Sequence, residues 1–241
     1  MRFTFRFRPI PLLATVLLVA LGLALGQWQT RRALEKEAIH ARLSSRAALP
    51  PITLGADVLP AEQAEYRHLV VDGEFRADWP VYLDNRPHQG AAGFYLMMPF
   101  KIAGSDRYLM VARGWLPRNA AERTRLPSIE TPSGTIRIEG VARRDAGRLL
   151  QLGRAEPPRP GAIMQNFDLD GFGAVSGLAL QPFVLEQTSD SGDGLLRDWP
   201  LPSSGAEMHR GYAFQWYALA LMALVFFIVT GFRNGNKQTG K

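Results

Sequence analysis

The sequence predicts a membrane protein in which two transmembrane helices flank one β-rich, α+β domain on the periplasmic side. Three observations predict it. Uncharged apolar runs lie near both ends of the chain, the tails outside them carry only basic charge, and the stretch between them changes from a helical pattern to short strands bounded by turn residues.

Residues 1–8 read as a cytoplasmic tail with Arg2, Arg6 and Arg8 as its charges. Residues 9–26, PIPLLATVLLVALGLALG, are uncharged and would rise roughly 27 Å as a helix, enough to cross the hydrocarbon core. Pro9 and Pro11 fall in the first turn, where a missing N–H is tolerated, and Trp28 follows where an interfacial indole is favoured. The competing reading is a cleaved signal peptide, with Ala24-Leu25-Gly26 as the cleavage site. The charge-rich helical continuation QWQTRRALEKEAIHARLSSRAAL favours a span running on into a juxtamembrane helix that ends near Ala48.

The domain between the spans is taken as 27–210. LPPITLGADVLP reads as a linker, and the strand candidates are YRHLVVDGEF, PVYLDN, GFYLMMPFKI, RYLMVARGWL, GTIRIEGVAR, AIMQNF and PFVLEQ. They predict an antiparallel sandwich or small barrel. LGRAEPPRPGA reads as a surface loop, DLDGFGAVSGL as a short helix capped by Asp168, and DSGDGLLRDWPLPSSGAEM as an extended return to the bilayer. Residues 211–230, GYAFQWYALALMALVFFIVT, form the second uncharged span, with an aromatic belt in its first third, and 231–241 form a second basic tail. Basic flanks stay on the cytoplasmic side, so both termini point inward and the domain faces the periplasm of a bacterial inner membrane or its organellar equivalent.

The formal net charge of +6 is confined to the tails: Arg2, Arg6, Arg8, Arg233, Lys237 and Lys241 account for it, and the domain is neutral. A neutral domain has no cation surplus for phosphates, which argues against nucleic acid as a partner. No cysteine is present, which excludes thiolate chemistry and disulfides. GxSxG, HExxH and GxxxxGK[ST] motifs are missing from the sequence, and no enzyme activity is expected.

Four histidines remain. His40 on the juxtamembrane helix and His68 on a strand read as solvated or structural, whereas His88 lies in the NRPHQG turn. His209 stands where the second apolar run begins, a place where an imidazole meets an apolar slot and water meets the rim, as an axial haem ligand requires. At about 100° per residue Trp216 returns to the same helix face, Tyr212 lies near it, and Arg210 is a candidate propionate partner. Ordinary interfacial anchoring explains His209 and Trp216 as well, and the residues alone leave both readings open. Arg113 to Pro117, RGWLP, reads as a strand end with a turn, and Asn85-Arg86 with Gly90 and Gly93 as a hairpin turn.

The ordered set LGQWQTRRALEKE, YRHLVVDGEF, VYLDNRPHQGAAGFYLMMPF, VARGWLP, IEGVARR and HRGYAFQWYALA resembles the Surfeit-locus-one family of cytochrome c oxidase assembly factors along nearly the whole chain. The resemblance implies a non-catalytic helper that binds haem a as transient cargo and assists its insertion into the catalytic subunit of the oxidase, with haem a synthase a second candidate partner. It places His209 as the axial ligand of the haem iron, Trp216 as the tryptophan of the same helix, and Gly73 as a family glycine that permits a close backbone approach. Arg113, Gly114 and Trp115 match its RGW signature, without a role. The alternative is a membrane scaffold for oxidase assembly that binds no haem. A periplasm-facing enzyme ranks last.

Overall fold

A computed structural model describes residues 7–122, 125–147, 149, 157–199 and 205–236, with 234–236 by their backbone alone. In chain order its elements are α1 (Pro9–Ala47), β1 (Ile52–Thr53), α2 (Ala61–Ala64), β2 (His68–Phe75), β3 (Val81–Leu83), β4 (Gly93–Ile102), β5 (Arg107–Pro117), β6 (Ile136–Arg143), β7 (Ala162–Met164), α3 (Leu169–Ser176), β8 (Ala179–Gln187) and α4 (Ala206–Asn236). They form two compact units, one built on α1 through Arg42 together with α4, the other comprising Leu43–Pro200.

In the first unit both helices are long and apolar enough to cross a membrane, and only 11 % of each apolar window is buried. A core helix of a soluble protein would bury most of that surface, so the apolar faces require lipid. α1 runs without a break through the expected end of the first span into the juxtamembrane segment, and α4 begins ahead of the second span. Where the helices meet, the buried residues are small: Gly22, Gly26 and Ala33 on α1, and Ala206, Ala213 and Ala220 on α4. Apolar surface gains nothing by leaving lipid, so close van der Waals contact between small residues holds such pairs together.

In the second unit β2, β6, β8, β5 and β4 pair in that order, and β4 returns to β2 at Gly73↔Ile102, Glu74↔Lys101 and Phe75↔Phe100 to close a five-stranded barrel. Leu69, Val71, Phe100, Ile102, Leu109, Val111, Ile138, Phe183 and Leu185 fill its interior. Burial of each such side chain stabilises by about 1.5–3 kcal/mol. The seam explains Gly73: a Cβ there would run into the carbonyl oxygen of Lys101 and reach 2.6 Å from Phe100 Cε1. The close approach expected of this glycine is therefore present.

Beyond the barrel, β4 bends at an irregularity between Leu96 and Met97 and carries β3 and β7 outward. α3 lies over this extension, with Phe172 packed against Met97, Met110 and Val184. Asp168 caps α3 as expected, its Oδ2 accepting from the Gly171 N–H at 3.1 Å, and Gly177 ends it at φ 70°.

Several expectations need correction. The sheet is mixed, because β5–β8, β3–β7 and β1–β2 pair in parallel; the long stretch between β5 and β8, which carries β6, β7 and α3, supplies the crossover that parallel strands need. The supposed linker 49–60 is docked on the barrel. Leu54 is buried and its N–H donates to Val70 O, while the buried Gln181 accepts from Leu59 N and donates to Asp57 O. Its prolines and glycines mark bends rather than slack. RGWLP is the strand end expected, but without a turn inside it, since β5 runs through it to Pro117. Of the loop expected at 152–162, residues 152–156 lie outside the described residues, and Ala162 belongs to β7. The return segment is irregular over 190–199 but firmly held, residues 200–204 lie outside the described residues, and from Ala206 it is already α4.

Candidate functional site

The head of α4 presents the residues singled out from sequence. Glu207 in its first turn suits the positive end of the helix dipole. One turn in, His209 Nδ1 lies 2.7 Å from Gln29 Oε1 of α1. With the amide oxygen as acceptor, Nδ1 is the donor, and in the neutral imidazole Nε2 is then the nitrogen with the lone pair. This is the arrangement by which an outer partner fixes tautomer and ring orientation in a metal-ligating histidine. Gln29 escaped the sequence reading; the only signal was an amide just past the apolar run, where a polar side chain needs a partner within the helix pair.

His209 and Trp216 share a face of α4, as the helical period requires. Trp216, with Leu219, Met222, Ala223 and Phe226 of α4 and Leu18, Leu21 and Gly22 of α1, lines an apolar hollow of about 340 Å³. Tyr212 is exposed near the same face. Arg210 points elsewhere: its guanidinium pairs with Glu37 Oε1 at 2.6 Å and lies 3.9 Å from Glu207. It can meet an anion at the rim only by sharing those carboxylates. The structure thus groups His209, Trp216 and Tyr212 and sets Arg210 apart from them.

The RGW residues build a second cluster, inside the domain. Arg113 is fully buried at the end of the barrel, its guanidinium 4.6 Å from the centre of the Phe75 ring. It donates to Thr131 Oγ1 at 2.7 Å, Glu130 O at 3.0 Å and Asp193 Oδ2 at 2.7 Å. Arg197 grips the same carboxylate through both oxygens, at 2.8 and 2.7 Å. Burial pulls the Arg113 guanidinium below its ordinary value, opposed by the hydrogen bond and charge of Asp193. Burial alone would raise the Asp193 carboxyl, but hydrogen bonds from Arg197, Arg113 and the Leu195 N–H outweigh it and hold the carboxyl below its ordinary value.

Gly114 lets the return segment lie close against β5, since a Cβ would stand 2.7 Å from Leu195 Cβ and 2.9 Å from Leu196 O. Trp115 and Leu196 exchange backbone hydrogen bonds of 2.7 and 2.9 Å. The Trp115 indole N–H donates to Arg86 O at 2.7 Å, and the His88 ring rests 4.9 Å away, with Nδ1 3.4 Å from Asp198 Oδ1. The hairpin turn and the RGW run, separate in sequence, therefore brace one segment together. The contacts of these side chains are structural, although the buried Nε atoms of Arg86, Arg113 and Arg197 lack a hydrogen-bond partner, and no nucleophile–base pair arises among them. Among the described residues no three His, Cys, Asp or Glu side chains converge as a metal cage.

The chain was compared with known proteins. It is 23% identical over 240 residues to a SURF1-like protein of Monosiga brevicollis, covering 94% of this chain and 88% of that one. It is 27% identical over 231 residues to a SURF1-like protein of Rickettsia bellii, covering 90% and 87%. It is 29% identical over 94 residues to the cytochrome oxidase assembly protein SHY1 of Saccharomyces cerevisiae, covering 38% of this chain and 24% of that one. The SURF1 family model matches residues 16–221, which take in most of α1, the barrel, the RGW brace and the first half of α4 with His209, and the chain belongs to the SURF1 family.

Proposed function

We propose that this membrane protein acts in cytochrome c oxidase assembly by carrying haem a as transient cargo on its two-helix unit and yielding it to the catalytic subunit. The yeast relative is named for oxidase assembly, which supports the process. The observation that carries the haem assignment is the 2.7 Å contact of His209 Nδ1 with Gln29 Oε1, which leaves Nε2 as the coordinating nitrogen on the helix face where Trp216, two turns on, lines an apolar hollow. The donor set fits the group in its core, with an imidazole for the iron and Trp216 and Tyr212 as aromatic walls; Arg210, the propionate partner expected from sequence, is instead paired with Glu37.

The iron chemistry belongs to the haem and is put to use only in the oxidase. The protein's part is to bind, orient and release. A single axial histidine suits release, because a second strong ligand would have to be broken before transfer. In this reading the basic tails hold both termini in the cytoplasm, the domain works on the periplasmic side of an inner membrane, and haem a synthase supplies the cargo.

The test is an absorption spectrum of the detergent-purified protein co-expressed with haem a synthesis, beside its His209→Ala variant. A haem a band that is lost in the variant is expected. An oxidase subunit co-purifying with both proteins and no porphyrin band in either would move the assignment to a scaffold that binds no haem.

A further inference from the structure

We infer that the apolar hollow beside Trp216 seats the isoprenoid tail of the ligand whose iron His209 takes, so that the two-helix unit selects a tailed haem over a tail-less one. The inference rests on haem carriage at His209.

His209, Tyr212, Trp216, Leu219, Ala223 and Phe226 follow one another at alternating spacings of three and four, which draws a single stripe along α4. Only the head of the stripe is polar. Below Tyr212 it is wholly apolar, and Ala223 adds little side-chain bulk to the hollow, while Gly22 on the other wall lets the helices approach, since a Cβ there would stand 2.9 Å from Ala220 Cβ. The adjoining stripe of Ala206, Ala213 and Ala220 is buried, whereas Leu219 and Phe226 remain 51% and 69% exposed. The His209 stripe is therefore open to an occupant from the bilayer.

Lengths agree with one continuous ligand. Trp216 lies roughly 10 Å along the helix from His209, about the reach of a porphyrin edge, and the stripe then runs roughly 15 Å further to Phe226, a path that a chain of a few isoprene units covers. A phospholipid is the weaker candidate, because its phosphate would need a cation at the head of the hollow. The cation nearest in sequence, Arg210, is committed to Glu37 at 2.6 Å. The head of the stripe offers an imidazole, which suits a metal rather than a phosphate.

The full-length protein in detergent is titrated with haem b and with haem o, which carries the farnesyl-derived tail that haem b lacks, and binding is read from the Soret band. Leaving lipid or detergent brings no hydrophobic gain, so the preference arises from packing and is modest, about tenfold in favour of haem o. Ala223→Leu, filling one wall, should bring haem o down to the affinity of haem b while leaving haem b and the His209-dependent spectrum unchanged. Leu18→Phe, filling the other wall, should do the same, and farnesol should compete with haem o alone. Equal affinities in the parent protein, or a preference that survives both substitutions, overturn the tail seat and leave haem carriage standing. Failure of either haem to give a His209-dependent band removes carriage and the seat together.

Discussion

Arg113 and His209 are both polar side chains set among apolar neighbours, one in the barrel domain and one in the helix pair, and their partners differ in kind. Arg113 has no exposed surface and is held by a carboxylate, a hydroxyl, a carbonyl and an aromatic face. His209 is held through one ring nitrogen by one amide oxygen. A buried charge with its partners in place is a structural joint, because any loss leaves another group uncompensated in a poor solvent. A histidine satisfied on one side only is oriented and still able to bind. The two RGW-bearing and His-bearing motifs thus differ: the first keeps the domain in shape, and the second is the one that the proposed function assigns to a ligand.

Breaking the domain joint should give the largest effect. Arg113→Ala leaves the buried Asp193 carboxylate with Arg197 alone and should cost about 3–5 kcal/mol, read as a loss of folded, detergent-soluble protein in denaturant titrations. Unchanged unfolding would sink the structural assignment of the RGW run. The pH dependence of the joint follows from its carboxyl. Asp193 is held below its ordinary value of 3.8 in the folded chain, so the joint's contribution is complete above that value and is lost as pH falls through the lower folded one. Acid unfolding monitored by intrinsic fluorescence should therefore be steep below the ordinary carboxylate range, and Asp193→Asn should be less stable at neutral pH and less steep in acid. An equally steep acid transition in Asp193→Asn would assign that sensitivity to other carboxylates.

A smaller loss is expected at the barrel seam. Gly73→Ala places a methyl against the Lys101 carbonyl, a backbone atom that cannot turn aside, and should cost about 1–3 kcal/mol in the same denaturant titration. The haem band per folded protein should not change, since the seam belongs to the domain and the imidazole to the helix pair.

How far these features could be read in advance depends on sequence distance. β4 was readable to the residue, as GFYLMMPFKI, because the run of strand-forming residues and its flanking breakers are all local. The face shared by His209 and Trp216 was readable because helical rotation is local as well. The parallel pairing of β5 with β8 was hidden, since register between distant strands leaves no mark in either one. The same holds for the site: Arg113 meets Asp193 80 residues away, and Gln29 meets His209 180 residues away, so each pair became visible only when the chain was folded. Missing β1 had another cause, the reading of prolines and glycines around Ile52 and Leu54 as a sign of slack when the apolar residues between them were anchors.

The most discriminating substitution is also the mildest for the fold. Gln29→Leu removes the acceptor of His209 Nδ1 and replaces it with a side chain that the apolar surroundings accept, so unfolding should shift by no more than about 0.5 kcal/mol. The imidazole would survive, but its tautomer and orientation would no longer be set. Loss of such an outer partner typically weakens metal binding by about 10–100-fold. If His209 is the ligand as proposed, a haem titration of Gln29→Leu should show binding weakened by at least about tenfold with the same band position, because the imidazole is still present. Undiminished affinity would mean that Gln29 merely joins the two helices, and a shift in unfolding as large as that of Arg113→Ala would mean that the helix pair treats its polar contact as the barrel treats its own.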